Sequence, residues 1–172
     1  MRLLMVSMLL LAVMSGLARA GAGSDIFQNN CVICHQADAT GLPGMYPPLA
    51  DSIGGYVAIP AGRAYLVHVV SFGMTGPISA HEEKYDGVMQ PWPQLGDKDI
   101  ADVLNYVLTT FNAKQLPKNF KPLTADESAK YRAKPMSMSD VHTERAALLK
   151  GTLEIDTAPG SGTTILVQIP LP

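Results

Sequence analysis

Five adjacent residues constrain this chain more than any others: Cys31-Val32-Ile33-Cys34-His35. A helical turn places the two thiols on one face and puts the histidine directly after them. These are the only cysteines among 172 residues. That count excludes a disulfide-dense scaffold, a four-cysteine zinc site and an iron–sulfur cluster held by cysteine alone. The formal charge of −2 argues against a nucleic-acid binder, which works by neutralising phosphates.

The C-x-x-C-H spacing meets one chemical demand closely. Two thiols add across the two vinyl groups of one haem, on one side of the macrocycle, and the adjacent imidazole swings beneath the iron. A thioredoxin-like redox pair needs a preceding strand in a βαβ setting, and the pattern here offers none. A zinc site would have to recruit His68, His81 or His142 by chance assembly. The motif therefore predicts covalent haem, with Cys31 and Cys34 as attachment points and His35 as an iron ligand.

The first twenty residues form a separate unit. Arg2 precedes an apolar run from Leu3 to Met14, and Ala18-Arg19-Ala20 supplies a small-x-small cleavage site. This is the layout of a secretory signal peptide with cleavage after Ala20. The run is too short for a comfortable membrane span. Fifteen of these twenty residues are apolar, so the mature chain falls to about 43% hydrophobic. Losing Arg2 and Arg19 leaves 11 basic against 15 acidic residues, a mature charge of −4. No later stretch reaches membrane length, so an exported, periplasmic chain is expected.

Along the mature chain, Ser24 or Asp25 is placed to cap a helix through Cys34. A Gly- and Pro-rich loop is expected from Gly41 to Pro60, a helix over Arg63 to Gly73, and a second loop from Met74 to Leu95. The clearest helix is Asp97 to Phe111, where Ile100, Val103, Leu104, Val107, Leu108 and Phe111 form one apolar stripe. A linker follows over 112–122. Thr124-Ala125-Asp126-Glu127 reads as a capping box opening a short helix to Ala133. Ser139 is placed to cap a helix reaching Leu149. The alternation of Leu153, Ile155, Ile165, Val167 and Ile169 around Ala158-Pro159-Gly160-Ser161-Gly162 predicts a terminal β-hairpin.

The second axial ligand has several candidates by residue type: Met45, Met74, Met89, Met136, Met138, His68 and His81. Met89 stands out by its setting. It follows Gly87 and precedes Pro91 and Pro93 on a stiff irregular loop that leads into the strongest helix.

Residues 23 to about 112 resemble a class I cytochrome c. The likeness is nearest to the small bacterial cytochromes that serve periplasmic dehydrogenases, oxidases and nitrite reductases. The matching stretches are CVICH, GLPGMYPPLADS and GMTGPISAHEEKYDGVMQPWPQLGDKDIADVLNYV. They hold, in order, the haem-attachment motif, a Gly/Pro loop, a G-x-I hairpin, a Gly-x-Met and a Leu-x-Asp-x-x-Ile helix. The resemblance implies an all-α cytochrome c fold around one covalent haem c, here with a helical extension and a C-terminal β-hairpin. It implies thioether bonds at Cys31 and Cys34, proximal ligation by His35 and distal ligation by Met89. It also implies a hydrogen bond from His35 to the Pro47 carbonyl, since Pro47-Pro48-Leu49 matches the family's Pro-x-Leu segment. Gln90 departs from the proline that usually follows the methionine, and Gly96 stands where a capping serine is common. The family packs its first and last helices together, with Phe27 and Tyr106 as contacts here. The macrocycle supplies much of a thin core, so the haem-free form is expected to fold poorly.

A second resemblance lies at the end of the chain. Residues 144–172, ERAALLKGTLEIDTAPGSGTTILVQIPLP, resemble the last helix and hairpin of a histidine-kinase ATPase domain. The adenine- and magnesium-binding boxes of that domain have no counterpart, so no nucleotide binding is expected.

These readings divide the chain into a leader at 1–20, a cytochrome unit at 21–112, a linker and helical extension at 113–143 and a kinase-like tail at 144–172. They predict an electron carrier rather than an enzyme, with iron in a His35/Met89 site and periplasmic redox proteins as partners. Two alternatives stand beside it: a tightly bound cytochrome subunit of a dehydrogenase, oxidase or nitrite reductase, and a haem-based sensor.

Overall fold

The computed structural model describes residues 21–150 and the backbone of two further strands, 152–158 and 162–168. The expected leader at 1–20 and the turn at 159–161 lie outside the described residues.

Residues 21–35 form one helical rod, α1. It is α-helical to residue 26, opens into a π-helical turn over Phe27–Cys31, and closes as α-helix over Val32–His35. Ser24 and Asp25 lie inside this helix and do not cap it. A π turn inserts extra backbone and turns the residues that follow it. Here those residues are Val32 to His35, the second half of the motif. Gln36, at φ 66°, ends the rod.

The expected loop at 41–60 is partly ordered. A 3-10 turn runs over Gly54–Ala58, and helix α2 spans Pro60–Phe72 with proline at its first position, where a missing N–H costs nothing. The expected second loop is corrected more sharply. Met74–Ala80 and Glu83–Met89 are strands β1 and β2, paired antiparallel with Met74 opposite Met89. His81 and Glu82 form the tip, both with positive φ, as a tight hairpin turn requires. Gly76, Pro77 and Gly87 are loop-forming residue types, yet a two-stranded ribbon is all edge and tolerates proline. The resemblance had named a hairpin at this place; local pattern had not.

Helix α3 occupies Asp97–Phe111, and Ile100, Val103, Leu104, Val107 and Leu108 on its expected stripe are buried. Gly96 has no side chain to cap it. The Asp99 carboxylate instead accepts from the Gly96 N–H at 3.0 Å, a favourable place for negative charge. α1 packs on α3 through Phe27, whose ring lies 5.6 Å from Tyr106 and 5.4 Å from Phe111 between centroids.

The chain then turns back over this unit. Helix α4 is Ala125–Arg132 and helix α5 is Met138–Lys150. Thr124 caps α4 as expected, accepting from Glu127 N–H. α5 is capped by Ser137 rather than Ser139: its hydroxyl accepts from Asp140 N–H, and the Asp140 carboxylate accepts from Ser137 N–H. α4 packs on α2 and α3, and α5 on α2 and β1. Strands β3 and β4, Thr152–Ala158 and Gly162–Gln168, pair antiparallel as the alternation predicted. The architecture is therefore mostly helical rather than all-α: beside the C-terminal pair it holds the β1–β2 ribbon.

Candidate functional site

α1, α2, α3 and the β1–β2 hairpin enclose a cavity of about 530 Å³. That volume lies within the usual range for small-molecule and cofactor pockets. Cys31, His35, Pro47, Met74 and Met89 all line it, and most of the remaining wall is aliphatic or aromatic, including Leu66, Val69, Trp92, Leu104 and Val107. Cys34 is half-buried but is not among the lining residues.

His35 is 7% exposed and points one ring nitrogen at a fixed acceptor. Its Nδ1 lies 2.9 Å from the Pro47 carbonyl oxygen. A carbonyl only accepts, so Nδ1 carries the hydrogen, and the neutral ring keeps its lone pair on Nε2. Burial lowers the His35 pKa; the Pro47 bond opposes this without overcoming it. The neutral form, the one that binds metal, is thereby favoured. The backbone around Pro47 depends on Gly41, at φ 69°. A Cβ there would lie 2.3 Å from the Tyr46 carbonyl oxygen and 2.7 Å from that of Pro47. No residue with a side chain fits.

Burial, and then the neighbouring Cys34, push the Cys31 thiol up to about 11. Redox-active cysteines of the thioredoxin kind have lowered values. Cys31 is a neutral, half-buried thiol, which weighs against a thiol–disulfide role.

Among the expected distal candidates the structure discriminates. Met45 is 57% exposed and does not line the cavity, and neither do Met136 and Met138. His68 has both ring nitrogens engaged elsewhere, with Glu144 at 2.8 Å and the Tyr131 carbonyl at 3.0 Å. His81 stands on the cavity rim, exposed, with Nε2 bonded to the Asp51 carbonyl. Met74 and Met89 remain, facing each other across the open end of the hairpin. Met74 is the more buried, and its sulfur accepts from the Tyr65 hydroxyl at 3.7 Å. Met89 sits where β2 ends against α2. Trp92 N–H donates to the Val70 carbonyl at 3.1 Å, and Gly73, at φ 74°, lets the Met89 carbonyl pass 2.4 Å from where a Cβ would stand. Those contacts fix the segment around Met89 even though Gln90 replaces proline.

Sequence reasoning missed several parts of the site. Asn112, 1% exposed, holds the segment from Leu49 to Gly54 on the cavity side. Its Oδ1 accepts from the N–H groups of Ser52, Ile53 and Gly54 at 3.0–3.1 Å, and its Nδ2 donates to the Leu49 and Val107 carbonyls. A polar residue just past the apolar stripe of α3 was the available signal. Arg145 and Leu149 of α5 also line the cavity, and nothing local to their sequence marks them.

Comparison with known proteins decides the family. The cytochrome c family model matches residues 20–111. Cytochrome c-552 of Thermus thermophilus is 40% identical over 136 residues, which is 79% of this chain and 92% of that protein.

The chain belongs to the cytochrome c family.

Members of the family carry covalently bound haem c and act as electron carriers, some of them as subunits of redox enzymes. A quinone alcohol dehydrogenase cytochrome c subunit from Gluconobacter oxydans is 35% identical over 91 residues, 52% of this chain and 18% of that protein. The Cbb3-type oxidase subunit CcoP of Rhodobacter capsulatus is 36% identical over 93 residues, 52% of this chain and 28% of that protein. The match to cytochrome c-552 is too long to fit within residues 1–111. It extends past that segment and takes in α4. None of these relatives is a histidine kinase, and most of the kinase-like tail, from residue 151, has no described side chains.

Proposed function

We propose that this cytochrome is an exported, periplasmic single-electron carrier holding one haem, attached at Cys31 and Cys34 and ligated by His35 and Met89. The observation that carries the reading is the convergence of Cys31, His35 bonded to Pro47, and Met89 on one apolar cavity. When bound, the haem supplies a one-electron iron couple. Cys31 and Cys34 would hold the group through thioether links, each thiol S–H adding across a vinyl group with no leaving group.

The chain's residues then do three things. The His35–Pro47 bond holds the imidazole orientation and keeps the lone pair on Nε2. The Met89 thioether, a weaker donor than a second imidazole, would raise the potential of a bound haem. Met74 is the less suitable donor because its sulfur already accepts from Tyr65. The apolar wall excludes water, so charge change at the iron meets little solvent reorganisation.

Electron exchange needs a partner face. Ile33, between the two cysteines, is 82% exposed, and Val88, beside Met89, is 53% exposed. Each is a sequence neighbour of a residue assigned to the haem site, and exposed apolar side chains there suit a small, transient contact. Dehydrogenases and oxidases are the favoured partners, since relatives are themselves subunits of a quinone alcohol dehydrogenase and a Cbb3-type oxidase.

Reversible one-electron voltammetry, combined with carbon monoxide exposure of the ferrous protein, tests the reading. The expected result is a reversible couple and no carbon monoxide adduct, with Met89→Ala opening the iron to the gas and lowering the potential. Ready binding by the unmodified protein would favour the sensor alternative. An effect of Met74→Ala rather than Met89→Ala would move the distal ligand.

A further inference from the structure

The loop that carries the acceptor of His35 is itself held by one buried side chain. Asn112 stands at the end of α3 and is closed off from solvent. Its Oδ1 accepts from three successive N–H groups, those of Ser52, Ile53 and Gly54, at 3.0–3.1 Å. Its Nδ2 donates to the Leu49 carbonyl at 3.0 Å and to the Val107 carbonyl at 3.1 Å. Both amide hydrogens are used and the oxygen is surrounded by donors, so the group is saturated. A fully satisfied buried network fixes one arrangement of the backbone around it. Asp51 N–H adds a bond to the Phe111 carbonyl at 3.0 Å. The end of α3 thus grips the stretch 49–54.

Leu49 lies two residues from Pro47, whose carbonyl oxygen meets His35 Nδ1 at 2.9 Å. Little torsional freedom separates the two. The Pro48 ring fixes its own φ, and Pro47, as the residue before a proline, is restricted to extended ψ. A shift at Leu49 is therefore passed on to the Pro47 carbonyl. Leu49 and Ala50 N–H both donate to the Ala39 carbonyl, at 2.8 and 2.9 Å. Those bonds tie the loop to the residues after His35. The tie from Leu49 to α3 is the Asn112 amide.

We propose that Asn112 is a positioning residue of the iron site: through the Leu49 backbone it sets the His35–Pro47 bond, and with it the basicity of the ligating imidazole. This rests on the reading that His35 ligates a haem in the cavity. A firm bond from Nδ1–H makes the imidazole a more basic ligand, which favours ferric iron. A loosened bond therefore raises the potential.

The test is an equilibrium redox titration of the haem-loaded full-length protein against a mediator couple, with the His35 Nδ1–H proton of the ferrous form followed by NMR. Asn112→Ala should move the electron equilibrium about two- to tenfold toward the ferrous form, the span of one hydrogen bond. It should also move the Nδ1–H resonance upfield. Pro48→Gly is the second variant. It frees the torsions between Leu49 and Pro47 while leaving Asn112 in place, and both readouts should shift in the same direction. Arg63→Ala is the structural control. It breaks the clasp between Arg63 and Glu127, lowers stability away from the loop, and should move neither readout. Unmoved readouts in Asn112→Ala or in Pro48→Gly, or an equal change in Arg63→Ala, overturn the proposal. Haem staining of the unmodified protein reads the underlying assignment separately: an unstained band overturns both, while a stained band with unmoved readouts overturns only this one.

Discussion

The unit built from α1, α2, the hairpin and α3 is held differently from the extension built from α4 and α5. The first packs its apolar side chains around a cavity, with Leu66, Ile100 and Leu108 among the buried residues. The second buries few apolar side chains, Leu123 and Val141 chief among them, and is fastened by polar clasps. Arg63 of α2 grips Glu127 through two bonds of 2.6 Å and the Lys121 carbonyl through a third. Arg132 bonds Asp97 and the Leu95 carbonyl. Asn105 exchanges two hydrogen bonds with the Leu123 backbone. His68 bridges Glu144 and the Tyr131 carbonyl. One region is built around an apolar cavity; the other is docked by directed bonds. Stability in the two should therefore respond to different perturbations.

The widest gap between the regions should appear on removing haem. Chain made without haem should lack a cooperative thermal transition by near-ultraviolet circular dichroism, because the cavity walls lose the surface they pack against. A sharp, native-like melt would erase the distinction drawn above.

Breaking the main clasp comes next. Arg63→Ala removes three charge-assisted bonds and leaves a half-buried Glu127 with only the Tyr131 hydroxyl as a side-chain donor. It should cost about 2–3 kcal/mol in denaturant unfolding of the haem-loaded protein, with the haem spectrum retained. Loss of the spectrum alongside stability would show that the extension and the cavity are one unit.

A smaller effect follows from pH. Burial pulls the His68 pKa down, but the bonds to Glu144 and the Tyr131 carbonyl and the Glu144 charge outweigh it, leaving a net raised value. Both ring nitrogens face acceptors, so the folded state favours the imidazolium. Raised folded pKa means a contribution fully present below the unfolded value of about 6.5 and lost as pH rises through the folded value. The groups facing His68 are Glu144 from α5 and the carbonyl and ring of Tyr131 from α4. Thermal melts on the alkaline side of neutrality should show stability falling, and His68→Leu should flatten that slope.

The smallest effect concerns Ser128, fully buried on α4 with no hydrogen-bond partner for its hydroxyl among the described residues. Ser128→Ala should raise stability by about 1 kcal/mol. A loss would mean that the hydroxyl has a partner, such as a bound water.

The same contrast explains what could be read from the sequence. The stripe of α3, the Thr124 cap and the alternation of β3 and β4 are local periodic signals, and local signals survive translation into structure. His35 and its cysteines were legible because haem attachment demands fixed spacing. Pro47 was legible only through family resemblance, since its carbonyl reaches His35 across twelve residues. The hairpin of β1 and β2 was hidden by Gly76, Pro77 and Gly87, which a loop and a two-stranded ribbon accept equally. Arg145 was out of reach. Its place on the cavity wall follows from where α5 docks, and that is set by long-range bonds such as His68 to Glu144.

The central claim is one haem held at Cys31 and Cys34 and ligated by His35 and Met89. Intact-mass measurement of the exported protein, paired with its pyridine haemochrome spectrum, tests the attachment most directly. The account predicts a mature chain beginning at Gly21 and carrying the mass of one haem, with the spectrum of two saturated thioether links. A chain without added mass, or a spectrum showing an unreacted vinyl group, would contradict it.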